Sequence, residues 1–475
     1  MFKGDLKLRQ FMRIFVVTVA SVIAGALLML AAYSLPTERI FNNVSDSRHM
    51  FGGNILYNWA EWGGTDELGI GWLDVYTDSL MLNTAVFRPY GSVLENAMKN
   101  PHLEIEDVYM PDNLLKVLAG DKYLPESIYN YSRYWHGYLI FLLPGLEILG
   151  YGQLKILLFS IEMLLFVAVI LELSKYGRSL SFAFTLSALV MSPISMGLSF
   201  NLAPVYVVTL VNMLIILRHY RTMTASRRYV LWALNGIAVA YFDLYTYPVV
   251  ALCFPLVAMC IVLEWPSLKL RLFHMAECTF SWLFGYVGMW AGKWIICELL
   301  TDDNTIQDGI SRVLYRAGTQ TDFGEVGDTS FGAVLKVVFG IACDRSMLIV
   351  IFLMLFVMTA GVIRLYRKRA SGIEARKAPD DVSGFAADSG SGFATGVVSG
   401  PADGRNAILS TIKSNLRPNS IYLMIAAIPF IYYLLVRNHT AVHPPMEYRE
   451  IAITFFALSV WLIKITGCNL ADGQD

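Results

Sequence analysis

The sequence predicts an all-α polytopic membrane protein with about ten transmembrane helices and a large extracytoplasmic loop after the first of them. Three observations lead there. Of 475 residues, 56% are hydrophobic and 16% charged, with mean hydropathy +0.51, whereas soluble domains average about 45–50% apolar and about 25% charged. Apolar runs of bilayer length recur along the chain, and Lys and Arg collect in every second connection between them. A net charge of −1 gives no electrostatic case for a nucleic-acid partner.

The segment 1–13 carries Lys3, Lys7, Arg9 and Arg13, and the uninterrupted apolar run 14–34 follows it. That run is long enough to cross a bilayer and too long for a signal-peptide core. Its basic flank puts the N-terminus in the cytoplasm, so the polar interval 35–150 lies outside. Further spans read at 154–174, 179–197, 203–219, 228–245, 247–264, 273–299, 343–364, 419–436 and 450–466. The connections this leaves inside hold Lys175 and Arg178, then Arg218, Arg221, Arg227 and Arg228, then Lys269 and Arg271, then Arg364, Arg367, Lys368 and Arg369. An even number of crossings returns the C-terminus to the cytoplasm. The stretch 137–150 is apolar, short and contains Pro144, and reads as a helix on the outer membrane surface. Residues 371–415, rich in Gly, Ser, Ala and Asp, read as a disordered cytoplasmic linker between the bundle at 151–370 and a C-terminal pair of spans at 416–475. The six cysteines all lie in or beside apolar segments, so no disulfide framework is indicated.

Acids, Arg and His gathered at one membrane face need a chemical reason, because burial in lipid penalises them. Asp74 and Asp78 are four apart in a segment that reads as the start of a helix, with Thr77 or Asp78 near its N-cap. That spacing puts both carboxylates on one face, where they would share a cation or where one would act as a general base. The plainer reading is that Asp78 caps the helix. Arg133 and His136 sit in an aromatic string, Tyr131 to Tyr138, where the chain re-enters the membrane. The Tyr and Trp residues suit an interfacial belt, and the two cations suit a lipid phosphate. Asp243 interrupts an apolar stretch at the outer end of a span, with Arg133, Lys293 or Arg449 as candidate partners. Lys293, inside an apolar segment, needs an acid or a phosphate unless it snorkels to the surface. His439 and His443 are four apart in the last outer loop, but Pro444 and Pro445 argue against a continuous helix and no HExxH is present. They read as donors to a phosphate or sugar in preference to metal ligands.

No GxxxxGK[ST], GxGxxG or GxSxG occurs, which removes support for ATP-driven transport and for the common serine-hydrolase arrangement. The strings Leu73-Asp74-x-x-Thr77-Asp78, Tyr134-Trp135-His136-Gly137-Tyr138, Phe242-Asp243-Leu244-x-Thr246-x-Pro248 and Asn438-His439-x-x-x-His443, set in this topology, resemble uncharacterised bacterial cell-envelope members of the GT-C class of glycosyltransferases. The resemblance covers most of the chain outside 371–415. It implies a bacterial plasma-membrane enzyme that uses a polyprenyl-phosphate-linked sugar donor and a cell-envelope glycan acceptor, with an acid of the first outer loop as base. In that class the acid commonly follows the first span closely, which adds Asp46 to Asp74 and Asp78 as a catalytic candidate. Arg133, His136, Lys293 and Arg449 would then neutralise the departing phosphate, and a divalent cation is compatible but not required. The competing expectations are a transporter or flippase of a lipid-linked or anionic solute, and a glycan polymerase joining lipid-linked units.

Overall fold

A computed structural model describes residues 2–51, 73–263, 265, 267–318, 328–343 and 414–466. The chain is mostly helical. Helix α1 (Phe2–Tyr33) is one unbroken rod, ended where Pro36 enters α2 (Thr37–Asp46). The polar interval that follows builds a small domain, called the outer domain after the position the sequence predicts for it. In it α3 (Val75–Val86) starts at Asp74, whose side chain caps Thr77 N, one turn earlier than the sequence predicts. The next helix, α4 (Val93–Lys99), is capped by Ser92 and closed by Asn100 in the left-handed region at φ 48°. A two-stranded antiparallel ribbon joins β1 (Pro101–Leu103) to β2 (Ile128–Asn130), with His102 opposite Tyr129, and it encloses α5 (Met110–Ala119). The sequence predicts no strand here, because three residues are too few for alternation to register.

The segment 137–150 forms α6 (Leu139–Leu146), which buries Leu139, Leu142, Leu143 and Leu146 and leaves Phe141 exposed. The bundle then runs through α7 (Tyr151–Ser174), α8 (Arg178–Leu189), the short α9 (Pro193–Gly197), α10 (Ala203–His219), α11 (Ala225–Phe242), α12 (Val250–Val262) and α13 (Leu268–Leu300). The predicted span 179–197 is broken, since Ser192 turns left-handed at φ 55° and Pro193 begins a new helix. Beyond α13 lie α14 (Thr305–Ala317) and α15 (Phe331–Ala342), and the C-terminal part holds α16 (Ile421–Leu435), α17 (Arg437–Val442), α18 (Pro444–Glu447) and α19 (Ile451–Thr466). Among the described residues three helices, α1, α7 and α13, are long and apolar enough to cross a membrane. Four others, α10, α12, α15 and α16, are apolar but shorter. Apart from Cys343 and residues 414–415, the predicted span 343–364 and the linker 371–415 lie outside the described residues.

Two apolar cores organise the molecule. One joins α7, α8, α10, α12, α16 and α19; the other clamps α1 and the outer domain onto α11 and α13. The α11–α13 crossing depends on small residues, for a Cβ at Gly236 would strike Trp282 O and one at Gly285 would strike Ala233 O. A third, smaller core gathers α15, Tyr432, Tyr433, Tyr448 and Ile451, and Tyr245 packs against both it and the second. The polar site described next lies at that junction.

Candidate active-site cavity

A cavity of about 840 Å³ opens between the outer domain, the loop after α11, α14 and the α17–α18 turn. Its acidic wall is Asp74 with Tyr76 and Thr77 from the start of α3, and Asn201 from the break before α10. Its basic wall holds Arg133, Arg312 and Arg316, with His102, His439 and His443.

The two aspartates of α3 have different surroundings. Asp78 is fully buried and saturated: Tyr151 Oη (2.8 Å) and Lys155 Nζ (2.9 Å) donate to Oδ2, and Ser199 Oγ (3.2 Å) and Asn201 N (3.3 Å) donate to Oδ1. The cation it meets is the Lys155 ammonium, which Asp74 does not share. Asp74 lines the cavity with two neutral partners, Thr77 N on Oδ1 (2.9 Å) and Asn201 Nδ2 on Oδ2 (2.7 Å), and among the described residues no Lys or Arg pairs with it. Burial, reinforced by the nearby charge of Asp78 and opposed by the Thr77 and Asn201 hydrogen bonds, raises its pKa to about 6. A carboxylate poised there suits general-base work. Among the described residues no cluster of three or more His, Cys, Asp or Glu side chains is arranged to hold a metal.

Opposite in character is Arg316. It is buried, stacked against Tyr134, Tyr245 and Trp290, and donates to Tyr134 Oη, yet no carboxylate among the described residues pairs with it. A guanidinium held by π-faces keeps its charge and most of its donors for a ligand. Arg133 is more committed, donating to Asp308 Oδ2 (2.9 Å) and Tyr129 Oη (3.0 Å). His102 Nε2 meets Glu104 Oε2 at 3.1 Å, which holds the Glu104 carboxyl below its usual range. His439 Nε2 lies 3.0 Å from Tyr245 O and 3.2 Å from Glu447 Oε1, so this nitrogen carries the proton. Burial, then the charge of Arg316, brings the pKa of His443 down to about 4. At neutral pH it is therefore an uncharged donor and acceptor, not a second cation.

The remaining sequence candidates do not line the cavity. Asp46 is exposed at the end of α2. His136 is buried at φ 53°, with Nδ1 2.8 Å from Tyr138 Oη and Nε2 3.1 Å from Tyr131 O, and it fixes the turn that brings Arg133 to the cavity. Asp243 ends α11 by accepting from Thr246 N and Thr246 Oγ1, shaping the loop that presents Tyr245. Lys293 does not snorkel: its Nζ donates to Met98 O (2.6 Å) and Asn100 Oδ1 (3.0 Å), docking the outer domain on α13. Arg449 donates to Met191 O (3.1 Å) and to Pro445 O, which holds the α17–α18 turn against the bundle. For Lys293 and Arg449 the expected acid or phosphate, and for Asp243 the expected cation, is replaced by a nearby backbone or side-chain group of the chain itself. Arg316 and Asn201 were not singled out from sequence. The one available signal was the four-residue ladder Asp308, Arg312, Arg316, which marks one face of a helix.

No family model matches the chain, and no curated protein or solved structure is significantly similar to it.

Proposed function

We propose that the protein is a membrane glycosyltransferase that moves a sugar from a polyprenyl-phosphate-linked donor to a cell-envelope glycan at the extracytoplasmic face. The observation that carries this reading is one cavity holding an under-coordinated, desolvated carboxylate, Asp74, and a guanidinium without a carboxylate partner, Arg316. Asp74 takes the proton from the acceptor hydroxyl as its oxygen bonds to the anomeric carbon, while the bond from that carbon to the phosphate oxygen breaks. Charge grows on the departing phosphate, where Arg316, Arg312 and Arg133 are fixed to receive it. Asp78 with Lys155 holds the first turn of α3 in place. On this reading the chain crosses a bacterial plasma membrane about ten times, with both termini in the cytoplasm.

A second reading is transport of a lipid-linked or anionic solute, favoured by the broken helices around Ser192 and around Asp243 to Tyr247. One experiment separates them: liposomes containing the protein receive labelled polyprenyl-phosphate sugars and an envelope glycan. The transferase reading expects label in the glycan, lost in Asp74→Asn and kept in Asp46→Asn. Movement of the lipid between leaflets with no label in the glycan would leave the transport reading.

A further inference from the structure

Helix α14 is built with its polarity reversed for a soluble protein. Thr305, Gly309, Arg312 and Arg316 recur at helical spacing on the face turned to the protein, with Asp308 beside them. The apolar residues point the other way: Ile306, Ile310, Val313 and Leu314 are 36%, 50%, 48% and 67% exposed. They form one stripe about 100° wide on the helix. In water such an arrangement exposes the wrong face. Its neighbour says what covers that face. Helix α13, long and apolar enough to cross a membrane, ends at Leu300, only four residues before α14 begins, and Ile295, Leu299 and Leu300 in its last turns are likewise exposed. The exposed apolar residues of α14 thus follow directly on those that end α13.

We infer that α14 lies in the membrane interface, with Ile306, Ile310, Val313 and Leu314 among lipid acyl chains and Arg312 and Arg316 on the cavity side, so that it is the threshold over which a lipid-borne anionic headgroup enters. The lipid contact follows from the helix itself; the delivery of substrate rests on the transferase reading. An interfacial helix with its cationic face inward brings phosphate, held at headgroup depth, level with the guanidinium groups. Its Arg133–Asp308 ion pair at 2.9 Å and the Asn130 Nδ2 to Asp303 Oδ1 hydrogen bond, also 2.9 Å, tie this threshold to the outer domain.

The test uses full-length protein in phosphatidylglycerol–phosphatidylcholine vesicles, with Cys343 and Cys468 replaced by Ser and a single environment-sensitive nitrobenzoxadiazole label at Ile310→Cys, Leu314→Cys or Ser311→Cys. The inference expects labels at 310 and 314 to be quenched by spin-labelled lipids at least about twofold more than at 311, and to be shielded from aqueous iodide. Iodide quenching without lipid quenching at 310 and 314 overturns it, and so does protection from both quenchers, which would mean that a second copy or another protein covers the stripe. A Leu314→Glu, Ile310→Glu variant is expected to raise KM for a long-chain lipid donor about tenfold while leaving kcat and a short-chain, water-soluble donor unchanged. Lipid quenching without any sugar transfer by wild type would retain the interfacial helix and remove the transferase reading.

Discussion

The cavity and the buried seams beside it are built from the same residue types and differ in how many bonds those residues have left. In the seams, Lys155 with Asp78, Lys293 with Met98 and Asn100, and Arg449 with Met191 and Pro445 direct their charge or donors to fixed partners within the fold. In the cavity, among the described residues, Asp74 has only neutral partners and Arg316 only aromatic ones. A buried cation in a membrane protein is thus a stability element when its donors are met internally and a ligand site when they are not. The two classes predict opposite mutant phenotypes.

The largest effects test that contrast. Asp74→Asn is expected to lower transfer by about 10²–10⁴-fold with no loss of thermal stability. Asp78→Asn strands the Lys155 ammonium and should cost roughly 3–5 kcal/mol, read as a lower melting temperature. Replacing both members, Asp78→Asn with Lys155→Met, should recover most of it, since no buried ammonium is then unpaired and the amide still accepts from Ser199 Oγ and Asn201 N and can donate to Tyr151 Oη. Arg316→Gln should reduce transfer by about 10²–10³-fold, and Arg316→Lys should restore only part, because an ammonium lacks the planar fork and the stacking.

A smaller effect is in pH. Asp74 acts as a base only when ionised, and its pKa is raised to about 6. The transfer rate should therefore rise with pH through about 6 and fall about tenfold from pH 7 to pH 5. The linkage to stability has the opposite sign. A carboxyl raised in the fold favours the folded state most below its unfolded pKa, and that contribution is lost as pH rises through about 6. Asp74→Asn should therefore be relatively more stable than wild type at pH 8 than at pH 4. Smallest of all, Lys293→Met should leave transfer within about twofold of wild type and lower stability by roughly 1–3 kcal/mol, as Met98 O and Asn100 Oδ1 lose their donor.

Legibility in the sequence follows the range of the interactions. The helical class and the bilayer-length first helix were readable, because long apolar runs are local signals. The break at Ser192-Pro193 was visible as a proline but hidden by the apolar residues around it, and the 101–130 ribbon was too short to show a period. At the site, the sequence placed Asp74 and Asp78 on one helical face but could not divide their roles. That division comes from Lys155, 77 residues after Asp78, and from Asn201, 127 residues after Asp74, and no spacing rule spans such separations. Arg316 was hidden for a related reason: 305–317 lies outside every predicted span, and only the fold shows that its charged face points inward.

Sugar transfer and melting temperature, measured in the same vesicles on Asp74→Asn and on the double variant Asp78→Asn, Lys155→Met, separate the two roles most directly. The account predicts a stable, inactive single variant and an active double variant. An active Asp74→Asn protein beside an inactive double variant of normal melting temperature would contradict it and move the base to Asp78.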